Sequence, residues 1–159
     1  MADAQRVNGY EVSWGDIYVK VGEERFYGIS EIAYGDKRAR SKSYGMGRSH
    51  APRGRTAGKY EVDPCTMKML KKTSKELRSY LASKAADGKS YGSVSFQIVV
   101  QYADANEEVQ TDTLHDCVID GDANSHSEGP DPLYDNISVD VMRIDRGDLT
   151  LYDKSEGPA

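Results

Sequence analysis

The sequence predicts a mainly β (α+β) fold: an antiparallel β-sandwich or partly closed barrel with one packed α-helix and a long extended arm. Three observations predict it. Apolar side chains alternate with period two at residues 17–21 and again at 94–102, the pattern of strands with one buried face. Only the segment after Leu70 carries convincing helical spacing. Between the early strands lies a 24-residue run, 35–58, with five glycines and almost no aliphatic side chains. At 159 residues and 38% hydrophobic composition, the chain is one domain spanning 1–159, with 35–58 as the arm.

The elements follow in order. Ile17, Val19 and Val21 alternate with Tyr18 and Lys20; Gly22-Glu23-Glu24-Arg25 reads as a turn, and 26–34 as a second strand completing a hairpin. The arm cannot build a core, and it exceeds the roughly 12–15 residues at which a structureless loop becomes unusual. Residues 60–70 resume a strand whose alternation slips at Pro64, marking a bulge or an edge. Thr73-Ser74-Lys75-Glu76 fits a capping box, after which Leu77, Tyr80, Leu81 and Ala85 share a helix face and Asp87-Gly88 stops it. Lys75, Arg78 and Lys84 keep the opposite face polar. Residues 94–102 turn through 103–106 into a partner strand at 109–119. One face of that strand holds Val109, Thr111, Thr113, His115 and Cys117, and the other is rich in acid. A polar loop at 121–132, a last strand begun by Ile137, Val139 and Val141, and a frayed tail at 153–159 complete the reading.

Composition and spacing exclude most chemistry. No run approaches the roughly 18 apolar residues of a membrane span, and residues 1–7 do not read as a secretory signal, so synthesis in the cytoplasm is expected. His115-Asp116-Cys117 does not make a dyad, because neighbouring strand residues face opposite ways and nothing orients a base. The arm glycines lack the context of a phosphate cradle, and Asp120, Asp122, Asp131 and Asp135 do not follow a calcium-loop pattern and read as surface. No catalytic residue, cofactor or metal is expected.

Charge is the informative signal. Residues 1–35, 36–59, 60–102 and 103–159 carry −3, +7, +3 and −12. The basic arm holds Lys37, Arg38, Arg40, Lys42, Arg48, Arg53 and Arg55 together with Tyr44, a mixture that suits nucleic acid. The chain as a whole is acidic, however, with net charge −5. Self-association accounts for both faces: an arm meeting the acidic surface of the next copy is a head-to-tail contact, which builds rings or filaments.

The residues just read resemble the tail tube proteins of phages, especially those with contractile tails and related prophage particles. The likeness is carried by Asn8-Gly9, Val12-Ser13-Trp14-Gly15-Asp16-Ile17, Ile29-Ser30-Glu31-Ile32-Ala33-Tyr34-Gly35-Asp36, Tyr44-Gly45-Met46-Gly47 and Pro52-Arg53-Gly54-Arg55-Thr56-Ala57-Gly58-Lys59-Tyr60-Glu61. It implies a structural virion subunit, assembled in the host cytoplasm, whose hexameric rings stack into a hollow conduit for genome ejection. A tube subunit of a secretion or extracellular contractile injection system is the first alternative, and a small nucleic-acid-binding module using the basic arm is the second. The arm would contact neighbouring subunits. Implied partners are further copies, the sheath, baseplate and tail terminator, and genomic DNA only as a passenger that does not stick; no membrane is implied. An acidic lumen would repel DNA, and Asp104, Glu107, Glu108, Asp112, Asp116 and Asp120 are candidates for it. Cys65 and Cys117 are read as buried free thiols, or alternatively as an inter-subunit disulfide formed after the particle leaves the cell.

Overall fold

A computed structural model describes residues 17–47, 50–102 and 109–152. The expected turn at 103–106, the tail at 153–159 and the first two motifs of the resemblance, except Ile17, lie outside the described residues. Strands β1 (Ile17–Val21) and β2 (Glu24–Phe26) form the first hairpin, with Gly22 at φ +61 in its two-residue turn. The single second strand expected at 26–34 is instead two. The chain breaks at Tyr27-Gly28, and β3 (Ile29–Ala39) joins a different part of the sheet. Gly28 explains the diversion: its carbonyl accepts the Leu70 amide at 2.9 Å, and a Cβ there would lie 1.8 Å from Thr73 Oγ1.

β3 pairs antiparallel with β6 (Lys59–Leu70). As the proline predicts, the ladder slips at Pro64, where Ala33 faces Thr66 and Gly35 already faces Asp63. Beyond Ala39 and Lys59 the same two chains continue as β4 (Lys42–Ser43) and β5 (Gly54–Arg55). The arm is therefore a projecting two-stranded ribbon rather than a structureless loop.

Helix α1 (Lys71–Lys84) leaves β6 without a linker, three residues earlier than the capping box predicts. Leu70 is the cap residue and makes no side-chain bond. It needs none, because the Leu70 and Lys71 amides donate to Gly28 and Leu133 carbonyls. Thr73 is thereby freed to pack, and Leu77 and Leu81 are fully buried at the expected helical spacing.

A 3₁₀ turn at Tyr91–Ser93 leads to β7 (Phe96–Tyr102), followed by β8 (Gln110–Asn124), β9 (Tyr134–Asp140), β10 (Arg143–Arg146) and β11 (Leu149–Thr150). The first half of β8 pairs with β7 and β10, and its second half with β9. The main strand order is β2-β1-β7-β8-β9-β6-β3, a large antiparallel sheet that bends at β8 and does not close into a barrel. The turning point is a bulge at His115-Asp116, with Asp116 at φ 53. The bulge also overturns the expected pairing of His115 with Cys117 on one face. Leu114 and Cys117, three apart, are the buried positions, while His115 turns to Asp145 at 2.9 Å. One contiguous apolar cluster results, in which Val19, Ile98 and Val100 join Met67, Ile137, Val139 and the helix leucines.

Candidate functional site

The basic ribbon is exposed along both of its strands and pairs apart from the main sheet. Lys37 and Arg38 sit on β3, where Lys37 pairs loosely with Asp63 at 3.6 Å; both are more than half exposed, so the pair adds little stability. Arg40 Nε donates to the Ala57 carbonyl at 3.2 Å, stitching the two chains together where the ribbon leaves the sheet. Further out, Lys42 lies directly opposite Arg55, a like-charge pair that costs the hairpin stability in isolation. Arg53 lies along Gly45, where any Cβ would come within 2.5 Å of its Nε. Tyr44 is exposed at the tip. Arg48 lies outside the described residues. The structure thus brings Lys42, Tyr44, Arg53 and Arg55 together on one outward limb and leaves Lys37 and Arg38 in the body.

The root of this limb is clamped by residues that the charge pattern does not single out. Asp36, the lone acid among the basic residues of 36–59, accepts from Arg146 Nη1 at 2.8 Å and from the Tyr60 hydroxyl at 2.8 Å. The Tyr60 oxygen in turn accepts the Ile144 amide at 3.1 Å. Burial, together with the Asp36 carboxylate, pushes the Tyr60 phenol above its ordinary range. Tyr34 adds a second tie, donating to Asp112 and lying 2.5 Å from the Tyr102 hydroxyl. Its pKa is also raised, first by burial and then by Asp112. A single acid inside a basic run is the signal that could have located this clamp.

The candidate lumen acids divide accordingly. Asp112 is half-buried and bonded to Tyr34, so it belongs to the clamp. Asp116 and Asp120 are exposed, each at a bulge of β8. Asp104, Glu107 and Glu108 lie outside the described residues. Cys65 and Cys117 are both fully buried free thiols, and burial pushes each up to about 12. A bridge between copies would have to withdraw both sulfurs from the core.

Two aspartates read from sequence as surface are instead structural. Asp135 is fully buried on β9 and accepts from Ser74 Oγ at 2.5 Å and Arg78 Nη2 at 3.1 Å, with Lys71 Nζ at 3.3 Å. Arg78 also grips Asp122 of β8 with Nε at 2.6 Å and Nη2 at 2.8 Å, the planar two-point geometry that makes arginine–carboxylate pairs strong. The polar face expected for α1 is thus partly its attachment to the sheet. Burial alone would raise the Asp135 pKa, but the Ser74, Arg78 and Lys71 bonds outweigh it, so the carboxylate titrates below its usual range. Asp122 is lowered too, chiefly by Arg78.

Comparison by sequence finds no matching family model and no matching curated relative. Comparison by structure does find matches. A chain of the anti-feeding prophage baseplate superposes with a TM-score of 0.62 at 11% identity, over 90% of this chain and 100% of that one. A chain of the sheath/tube terminator of an extracellular contractile injection system (PVC) gives 0.58 at 14%, over 87% and 97%. Hcp1 from Flavobacterium johnsoniae gives 0.55 at 8%, over 86% and 98%. The likeness spans nearly the whole of each molecule, so this chain has a fold shared by Hcp1 and by components of contractile injection particles, in agreement with the tail-tube resemblance of its sequence.

Proposed function

We propose that the chain is a structural, non-enzymatic subunit of the tube of a contractile particle, assembling with further copies into stacked hexameric rings around a hollow conduit. The observation that supports this most is the projecting basic ribbon on a chain whose final third is strongly acidic. Lys42 and Arg55 repel each other across the ribbon, and an acidic neighbour would relieve that repulsion. Sheath, baseplate and terminator proteins are the further partners of such a tube. In the phage reading the conduit carries DNA, and the exposed Asp116 and Asp120 are proposed to face it, keeping phosphate from adhering. The neighbours named for injection systems favour a second reading, in which the same tube delivers other cargo.

Electron microscopy of the purified protein at high concentration tests the proposal. Hollow annuli or tubes are expected. A sample that stays monomeric by light scattering, with the ribbon protected from protease, would overturn it.

A further inference from the structure

Around one end of the sheet three apolar side chains stand in water: Leu149 is 76% exposed, Val109 56% and Leu151 46%. Leu149 belongs to β11, which among the described residues pairs only with β10, so it also marks an open sheet edge. Apolar side chains beside unpaired backbone invite pairing with whatever strand they meet. The register fixes where these side chains lie relative to the start of β1. Ile17 is opposite Tyr102 and Tyr102 opposite Gln110, so Val109 stands two strands from Ile17, about 10 Å at the usual strand spacing. Val19, Val100, Asp112, Arg146 and Leu149 form one row across the sheet, which sets Leu149 four strands from β1, about 19 Å. Residues 1–16 lead into Ile17 and lie outside the described residues. Within them Tyr10-Glu11-Val12-Ser13-Trp14 alternates apolar with polar side chains. At about 3.3–3.6 Å per residue, Trp14 reaches about 10 Å from Ile17, the distance of Val109, and Tyr10 reaches about 24 Å, past Leu149. Folding back along the open side of β1 is blocked, because β2 already pairs with Val19, Lys20 and Val21. The free route turns at Gly15 and passes beside the ends of β7 and β8.

We propose that residues 10–14 lie across this end of their own sheet, with Trp14 on Val109 and with Val12 and Tyr10 on Leu149, as a cap over the open β11 edge of the lone chain. The occupant is the chain's own segment rather than a second copy because it is tethered. A segment tied a few residues away meets the patch at a roughly millimolar effective concentration, however dilute the protein. The alternation leaves Glu11 and Ser13 on the solvent side, so an apolar rim is replaced by a polar one. The indole contributes most, since aromatic rings carry the largest apolar surface per side chain. The cap stands apart from the assembly reading, because it concerns a single molecule before it meets another.

Trp14 is the chain's one tryptophan, so its emission reports on the cap alone. In full-length protein dilute enough to be monomeric by light scattering, that emission should be blue-shifted and independent of concentration. Acrylamide should quench it roughly threefold less than it quenches a free tryptophan derivative, as a covered indole requires. Leu149→Asp and Val109→Asp, both at exposed positions, should each shift the emission to the red and roughly double the quenching, with the far-ultraviolet circular dichroism unchanged. Leu133→Asp, an exposed position on the chain leading into β9, should change neither. A Trp14 as open to acrylamide as the free derivative overturns the proposal. Protection that appears only as concentration rises overturns it too, by assigning the patch to a second copy, and so does protection that both aspartate variants leave intact. Tubes can form or fail to form under each of these results, so the outcome is separate from that of the assembly proposal.

Discussion

Asp135 and Arg78 are unequal partners, and the inequality is measurable. Replacing Asp135 with Ala leaves Arg78 still gripping Asp122 and Lys71 half in water, so the loss is that of hydrogen bonds to a charged group, about 2–3 kcal/mol. Replacing Arg78 with Ala instead leaves a fully buried carboxylate with Ser74 and only the longer contacts of Lys71 at 3.3 Å and His126 at 3.6 Å, and roughly 3–5 kcal/mol is expected. Urea unfolding of the two variants should rank them in that order; the reverse order would refute the account. The same network sets an acid limit. Both carboxylates titrate lower folded than unfolded, so their contribution is complete above about pH 4, the ordinary range, and is lost as pH falls through the depressed folded values. The pH dependence of unfolding should flatten at low pH in Asp135→Asn. Gly28 is the other sensitive residue. Gly28→Ala drives a methyl into Thr73 Oγ1 and should cost about 1–3 kcal/mol by thermal melting, partly recovered by Thr73→Ala.

At the scale of elements, the ribbon separates stability from assembly. Lys42→Glu turns a repulsive cross-strand pair into an attractive one, so monomer stability should stay within about 0.5 kcal/mol of the parent or rise slightly. Assembly, in contrast, should weaken at least tenfold by sedimentation, because a basic grip has been reversed; unchanged assembly would remove the ribbon from the contact. The strands with strict alternation, β1, β7 and β9, were legible in the sequence because each buries one face of a regular pleat. What was illegible has a common cause. Bulges at Asp116 and at Asp120 shift parity within β8, so His115 and Cys117 part company and a face drawn by counting twos fails. The helix start was misplaced because its first amides are met by distant carbonyls, which local capping patterns do not encode. β10, with three charged residues in four, and the two-residue β11 are too short to announce themselves. Of the site, the basic residues were visible as a charge run. Their clamp at Asp36, Tyr60 and Arg146 was not, since it joins segments 110 residues apart.

The whole molecule is electrically polar about an apolar core, and these two parts should respond oppositely to salt. Contacts between a +7 segment and a −12 segment are screened as the Debye length falls from about 10 Å at 0.1 M to about 3 Å at 1 M. Dissociation of assembled protein is expected over that range, with the monomer melting temperature little changed because burial of aliphatic side chains is not screened. Assembly that tightened with salt would assign the contact to apolar surface instead. The clamp between residues 36 and 146 carries a further implication for synthesis. A nascent chain exposes its cationic hairpin early, but the guanidinium that steadies its base is made more than a hundred codons later. On a polysome, neighbouring growing chains therefore lack a properly aimed hook until Arg146 has been made, which, on the assembly proposed above, delays mutual capture.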